Sequence, residues 1–314
     1  MTTSQLQLQR CRCPTAVVRV HRKAGTRVVL GATKRQAGSV TLAEFPSEYD
    51  TAIRQAQLAT KAALADGLKL LEVEFPVSGL AASQGDGDGQ TEMNECMAYL
   101  RKFMNGFADQ AEATRVYFPD NVELAIARSG QTSDPSAGRR AMDATFGSDC
   151  NFRMGYLTKQ SAAWAVLGMN FGNKFQPSDL VKPDDAMFVV AYPSFNPREE
   201  LSATRQLWDA AAAPADRPLI IFNGELDRLR GGYYPGLFFP ELAKLTAEFL
   251  PQVEAAYYIH NFKGTRPGVL FRAYPGPWQV LRRSPIDAEA TQCVWSGDTR
   301  PSLKEVSLEI LPNA

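Results

Sequence analysis

The sequence predicts an α/β fold: a layered, mostly parallel sheet flanked by helices, with an antiparallel extension in the C-terminal third. Strand and helix patterns alternate up to about residue 250, which is typical of such folds. Two continuous apolar runs, at 186–192 and 219–222, are typical of strands buried on both faces. After residue 256, strand-like segments follow one another across short turns, which indicates antiparallel pairing.

The first predicted helix and strand lie between residues 47 and 76. Small residues recur at helical spacing in the helix, namely Ala52, Ala56, Ala59 and Ala63, and Gly67 is suited to end it. In the following strand, 68–75, apolar residues alternate with Glu72 and Glu74. Because alternation is typical of a half-buried strand, we place this strand towards the edge of the sheet.

The alternation of helices and strands then continues. The predicted elements are a helix with an apolar stripe from Met93 to Phe107, a strand at Thr114–Phe118, a helix from Val122, a loop at 129–150, a strand at Asn151–Leu157 and a helix at Ser161–Met169. After the apolar run 186–192 come a helix at Pro197–Ala212, the strand 217–223, a helix from Pro240, a hairpin of Tyr257–Phe262 with Val269–Tyr274, its extension Trp278–Arg282 and a last helix from Pro301. No internal repeat interrupts this order, and we predict a single domain over residues 45–311.

The strand 217–223 is predicted to lie at the centre of the sheet, and polar residues follow it and other strands. Leu219–Phe222 is wholly apolar and stops at Asn223. Since the carboxyl ends of parallel strands share one edge, Asp120, Ser194, Asn223 and Glu225 are expected near one another, around a cleft for a small ligand. The alternative is that such residues simply end strands.

The overall composition is ordinary for a soluble globular protein, with 45% apolar and 22% charged residues. No apolar run could span a bilayer, which leaves peripheral membrane contact at most.

The distribution of charge separates the chain into two parts. Residues 1–43 hold eight Lys and Arg and no acid, which indicates an organelle transit peptide; the alternative is a basic arm for nucleic acid or anionic lipid. The remainder has 26 basic against 34 acidic residues, which argues against nucleic-acid binding.

No catalytic residue, metal site or cofactor is predicted. The five cysteines lack the paired spacing of a disulfide framework or zinc site, and any histidine mechanism outside the leader must use His260. The Gly85–Gly89 loop precedes a helix but matches no phosphate-binding motif, and its aspartates would repel phosphate.

Aromatic residues offer a candidate contact surface for a partner. Tyr233, Tyr234, Phe238 and Phe239 lie in one loop and form either a docking patch for a partner or membrane surface, or a lid packed over the sheet. Trp278 lies among arginines on a later strand and is a further candidate contact.

Four segments resemble an uncharacterised domain family of photosynthetic organisms. They are QAQLATKAALADGLKLLEVEFP (55–76), TRVYFPD (114–120), RPLIIFN (217–223) and GVLFRAYPGPWQVL (268–281). The family includes low-photosystem-II-accumulation-3-like proteins, and a related domain follows the kinase in some plastid adenylate kinases. The resemblance covers about residues 45–311.

This resemblance implies that the leader is a chloroplast transit peptide. It also implies that the protein works in the stroma, where peripheral contact with thylakoids is a further possibility. It implies a non-enzymatic accessory role in photosystem II assembly or accumulation, with assembly intermediates or the membrane insertion machinery as partners. The family supplies no catalytic residues. The alternative is a small-ligand or nucleotide-binding enzyme that uses the cleft at the carboxyl edge of the sheet.

Overall fold

The computed structural model describes residues 42–82, 89–129, 146, 151–159, 175–284 and 291–314. The predicted transit peptide lies outside these residues except for its last two positions. The predicted helix Ser161–Met169 also lies outside them, as do residues 85–88 of the glycine-rich loop and most of the predicted loop 129–150.

Nine strands and eight helices are defined within the described residues. The strands are β1 (Leu70–Glu74), β2 (Thr114–Asp120), β3 (Arg153–Thr158), β4 (Met187–Ala191), β5 (Leu219–Phe222), β6 (Glu254–Phe262), β7 (Gly268–Ala273), β8 (Trp278–Arg283) and β9 (Thr291–Gly297). The helices are α1 (Tyr49–Ala65), α2 (Gly89–Met104), α3 (Asn121–Ser129), α4 (Pro197–Leu207), α5 (Asp227–Arg230), α6 (Pro240–Glu248), α7 (Leu303–Glu305) and α8 (Leu311–Asn313). Short 3₁₀ or π segments cover Asn105–Ala113, Pro177–Leu180, Trp208–Ala212, Ala213–Ala215, Leu250–Gln252 and Val306–Ile310.

The nine strands form one sheet in the order β3-β2-β4-β5-β1-β6-β7-β8-β9. The six strands from β3 to β6 run parallel, and β7, β8 and β9 add antiparallel neighbours. The predicted fold class is therefore confirmed, as is the hairpin of β6 with β7 and its extension by β8. Strand β9 had no counterpart in the sequence prediction.

Helices cover both faces of the sheet, which gives three layers. On one face α1, α2 and α3 pack against alternate strand residues, among them Val73, Val116 and Phe222. On the other face α4 and α6 pack against the residues between, such as Val190 and Ile221. The antiparallel end is closed on this second face by apolar residues from Leu303 to Leu311. Burial from both sides explains why β4 and β5 are continuous apolar runs.

The predicted edge position of β1 is wrong, because β1 lies between β5 and β6 at the centre of the sheet. All five of its residues are buried, including Glu72 at 0% and Glu74 at 2% exposure. The alternation of apolar and acidic residues therefore marks two buried faces, one apolar and one charged. Charged groups are rarely buried without partners, so the acidic residues require their partners from elsewhere in the chain.

An ionic cluster formed by Glu72, Asp227, Arg230, Arg300 and Tyr258 supplies the partners of Glu72, while Glu74 accepts from the Glu225 N–H at 3.0 Å. Arg230 donates to both carboxylate oxygens of Glu72, at 2.9 and 2.8 Å, and Arg300 donates to Glu72 at 3.2 Å. Asp227 accepts from Arg230 at 3.2 Å and Arg300 at 2.5 Å, and it also accepts from the Tyr258 hydroxyl. The cluster ties the central strand to α5, to β6 and to the segment after β9.

Replacing Glu72 by Gln should destabilise the fold strongly, because the fully buried carboxylate is lost and the half-buried guanidinium groups of Arg230 and Arg300 lose a charged partner. We expect the free energy of unfolding to fall by about 3 kcal/mol or more. The matched control is Glu248→Gln, whose carboxylate pairs with Arg205 at 2.8 Å but is 48% exposed, so little change is expected. Urea denaturation measures both, and equal losses would contradict this role for the cluster.

Candidate functional site

A cleft of about 260 Å³ lies at the carboxyl ends of β1, β4 and β5, beside the first turns of α2. The chain leaves β1 towards α2 on one face of the sheet and leaves β5 towards α6 on the other. Because the two connections diverge, a crevice opens between the neighbouring strands β1 and β5. Ligands of open α/β sheets bind at such switch points.

The structure brings three of the four predicted ligand residues into this cleft and leaves one outside. Ser194, Asn223 and Glu225 all line it. Asp120 lies at the end of β2 and is not among the lining residues; its carboxylate caps α3 by accepting from the backbone N–H groups of Val122 and Glu123, both at 2.8 Å.

Asn223 connects the elements that form the cleft. Its side-chain oxygen accepts from the Phe75 N–H at 3.0 Å, and its amide nitrogen lies 3.4 Å from the Cys96 sulfur. Its own N–H donates to the Val73 carbonyl at 2.7 Å. One buried side chain thus joins the ends of β5 and β1 to α2.

Three cleft residues other than glycine adopt the left-handed backbone region. The φ angles are 32° at Tyr192, 49° at Asn223 and 48° at Glu225. Such a conformation costs about 1–2 kcal/mol for most residues, although asparagine tolerates it better. Conformations of this kind cluster at functional sites and persist where the surrounding contacts determine them. Here each is held by a strand-end hydrogen bond; for example, the Tyr192 N–H donates to the Phe222 carbonyl at 2.7 Å.

Carboxyl groups dominate the electrostatics of the cleft. Glu225 pairs with Arg228 at 2.6 Å, and the Glu225 N–H donates to the Glu74 carboxyl at 3.0 Å. Burial raises the pKa of Glu74 well above its usual 4.5, and the carboxylates of Glu72, Glu225 and Asp227 raise it further. Burial also raises the pKa of Glu225, against the lowering effect of Arg228.

A further buried carboxyl and a buried thiol lie at the same edge of the sheet. Glu200 accepts from the N–H groups of Phe195 and Asn196, at 3.1 and 2.9 Å, while burial raises its pKa to about 7. Burial also raises the pKa of the Cys96 thiol, which therefore stays protonated at neutral pH.

The lining residues that the structure describes include no histidine, and the hydroxyl of one of them, Ser78, donates to the Glu92 carboxylate at 2.7 Å. His260, the histidine considered from the sequence, lies beside Asp227 in the ionic cluster at 3.7 Å. Among the residues placed by the structure, no group of three or more His, Cys, Asp or Glu has the arrangement of a metal site. Of the helices within the described ranges, none has the length and apolar character required to cross a membrane.

Sequence reasoning missed several lining residues, notably Glu74, Glu92, Tyr192 and Arg228. Glu74 lies in the strand-end sequence EFP, which contributed none of the four predicted residues, and Tyr192 lies in AYPS, which contributed only Ser194. Glu92 lies in the first turn of α2 after the glycine-rich loop, a position where acids are common for helix-dipole reasons alone. Arg228 carried no recognisable sequence signal.

The aromatic loop, residues 231–239, forms a separate exposed surface. Tyr233 is 73%, Phe238 74% and Phe239 37% exposed, and the neighbouring Leu237 is 87% exposed. Tyr234 is half-buried and packs against the core. The loop is therefore a surface patch anchored by one residue rather than a packed lid.

Trp278 does not belong to any exposed surface, and the expectation that it contacts a partner is corrected. It is 2% exposed and packs against Tyr258, with ring centroids 5.3 Å apart. Arg300 lies over its ring at 5.0 Å. The Arg272 guanidinium also lies over this ring, at 5.2 Å, so Trp278 takes part in cation–π packing with two arginines.

The fold places the protein in the class of α/β/α domains with a cleft at a switch point of the sheet. The chain belongs to the family described as Domain of unknown function (DUF1995), which matches residues 46–308. Comparison with curated proteins and with solved structures gave no significant match. The resemblance to low-photosystem-II-accumulation-3-like proteins and to plastid adenylate kinases stays a prediction.

Replacing Asn223 by Ala should cost about 2–4 kcal/mol of stability, because it adds left-handed strain and leaves the buried Phe75 N–H unpaired. The matched control is Asp216→Ala. Asp216 has a similar φ of 53°, but its side chain is 82% exposed, so only about 1 kcal/mol of strain is expected. Denaturant unfolding measures the difference, and equal losses would show that the hydrogen bond of Asn223 contributes nothing.

Replacing Glu74 by Gln should remove a pH dependence of stability. Since the folded-state pKa is raised above 4.5, the folded protein retains a proton that the unfolded chain has lost, and stability falls as pH rises from 4.5 towards the folded-state pKa. The Gln variant has no carboxyl group at this position and therefore lacks this loss of stability. Its free energy of unfolding relative to the native protein should increase as the pH rises from about 5 to about 8. A constant difference in urea titrations across that range would contradict the raised pKa.

Proposed function

We propose that this protein is a non-enzymatic accessory factor of the chloroplast stroma that assists photosystem II assembly or accumulation, and that it binds its partner through the aromatic loop. The partner is a photosystem II assembly intermediate or the membrane insertion machinery. Three features support the proposal: the resemblance carried by the four sequence segments, the acid-free leader, and an exposed apolar surface on a folded domain.

The single observation that carries the docking role is the exposure of the loop. Monomeric soluble proteins rarely expose large apolar side chains next to one another, and such patches mark interaction sites. Here three neighbouring side chains, Leu237, Phe238 and Phe239, are exposed together with Tyr233.

The loop is ordered without burying these side chains. The N–H groups of Phe238 and Phe239 both donate to the Pro235 carbonyl at 3.0 Å. The Tyr234 ring packs between those of Tyr233 and Phe239, with centroids 5.0 and 5.4 Å apart. A preformed apolar surface binds with less loss of conformational entropy than a flexible one.

Affinity purification of the full chain from chloroplasts, with and without detergent, tests the proposal. A Leu237→Ser/Phe238→Ser variant should recover at least about tenfold less of the photosystem II intermediates, because it removes apolar anchors. The matched control is Leu58→Ser/Leu308→Ser, which alters leucines of 69% and 62% exposure elsewhere on the surface. Unaltered recovery with the loop variant would contradict the docking role, and a knockout with normal photosystem II content would contradict the assembly role.

A second candidate function, a small-ligand or nucleotide-binding enzyme, is favoured by the cleft at the β1–β5 switch point. The left-handed residues determine the backbone shape of this cleft, and buried carboxyl groups contribute to its lining. This function requires that a nucleotide or metabolite raise the melting temperature of the purified protein.

A further inference from the structure

We propose that the aromatic loop inserts into the headgroup region of a lipid bilayer, so that its apolar side chains contact membrane lipid directly. This inference rests on the proposed function, because it takes the loop as the docking surface, and it names the chemistry that this surface binds. Lipid contact holds the domain at a membrane surface, where the partners proposed above act. Three properties of the loop support it: projecting side chains, the lack of charge and internal hydrogen bonds.

The apolar side chains of the loop project from the protein surface. Leu237 is 87%, Phe238 74% and Tyr233 73% exposed. A side chain that keeps most of its accessible surface in a folded protein has few neighbours around it. A folded protein partner would need a recess that matches each of these projections, since protein interfaces are closely packed at their core. A fluid bilayer needs no matching shape, because lipid closes around an inserted side chain.

The loop and the residue after it contain no charge. Residues 231–240 include no Asp, Glu, Lys, Arg or His, in a chain with 22% charged residues. Nine of these ten residues are exposed. Entry into an apolar medium therefore desolvates no ion, which would be the most costly step. The polar side-chain groups are the hydroxyls of Tyr233 and Tyr234, and tyrosine is enriched at the headgroup level of membranes.

The backbone of the loop satisfies hydrogen bonds within the protein, as an apolar medium requires. The N–H groups of Phe238 and Phe239 donate to the Pro235 carbonyl, and the Tyr233 N–H donates to a carbonyl of α5 at 3.0 Å. Pro235 and Pro240, on either side of the most exposed residues, have no N–H group. These positions can leave water without exposing an unpaired donor to lipid.

The charged residues on either side of the loop form ion pairs. Before the loop, Arg228 pairs with Glu225 at 2.6 Å, and after it, Glu241 pairs with Arg198 at 2.9 Å. Paired charges contribute little net attraction to anionic headgroups. The binding free energy must then come from burial of apolar side chains, which salt does not screen. We therefore expect the loop to bind uncharged and anionic bilayers alike.

Co-sedimentation of the purified full chain with phosphatidylcholine vesicles and with phosphatidylglycerol vesicles tests the proposal. The native chain should bind phosphatidylcholine vesicles, and its partition coefficient should change less than about twofold between about 0.1 and about 0.5 M NaCl. Leu237→Ser/Phe238→Ser should lower this coefficient at least about tenfold, because it removes the inserted groups. Leu58→Ser/Leu308→Ser, which alters exposed leucines elsewhere, is the matched control and should bind as the native chain does. Urea denaturation checks that both variants remain folded.

The basic leader requires a separate comparison, because residues 1–43 hold eight Lys and Arg and no acid. Binding through the leader would require phosphatidylglycerol, would be lost in salt and would not respond to the loop substitutions. That pattern, or absence of binding to both kinds of vesicle, would overturn the proposal.

Insertion of the loop can be observed directly with a tryptophan at its tip. Phe238→Trp should be quenched by phosphatidylcholine with brominated acyl chains, because its ring lies at the boundary between headgroups and acyl chains. Leu58→Trp is the matched control and should show only the quenching of the native chain. Equal quenching of the two variants would overturn the proposal.

The lipid contact and the proposed function can fail separately. Detergent removes the bilayer, so loop-dependent recovery of photosystem II intermediates that persists in detergent would indicate a protein contact and overturn the lipid contact. Loop-dependent vesicle binding, together with a knockout of normal photosystem II content, would overturn the assembly role and support the lipid contact.

Discussion

Glu72 lies on the central strand with its carboxylate fully buried, and two arginines from distant parts of the chain converge on it. A buried carboxylate is tolerated only with charged or hydrogen-bonding partners, so this pairing restricts where α5 and the segment after β9 can lie. Arg230 belongs to α5, and the aromatic loop begins at the next residue. The position of both candidate surfaces therefore depends on a charge inside the sheet.

The cleft follows from topology and from a small number of strand-end contacts. Because neighbouring strands β1 and β5 lead to opposite faces of the sheet, the space at their carboxyl ends is not filled by a connection. Asn223 keeps the two strand ends and α2 together, and its left-handed conformation turns the chain towards Glu225 and α5. Strain of this kind persists because hydrogen bonds at the strand ends determine the conformation.

The cleft and the aromatic loop are structurally linked through α5. Arg228 lines the cleft with its side chain, and its carbonyl accepts from the Tyr233 N–H at 3.0 Å. The two surfaces thus share a short rigid segment, one surface suited to a small ligand and the other to an apolar partner.

The sequence by itself determined the parts of this protein that depend on local patterns. Apolar runs predicted β4 and β5, paired short segments predicted the β6–β7 hairpin, and strand-end residues led to three of the cleft residues, including Asn223. The tertiary structure alone decided the rest. The alternation of apolar and acidic residues led to a wrong edge position for β1. Sequence cannot show that arginines about 160 and 230 residues away pair with Glu72. The exposure of the aromatic loop was likewise undecided, and the burial of Trp278 was not predicted, because burial depends on contacts between residues far apart in the chain.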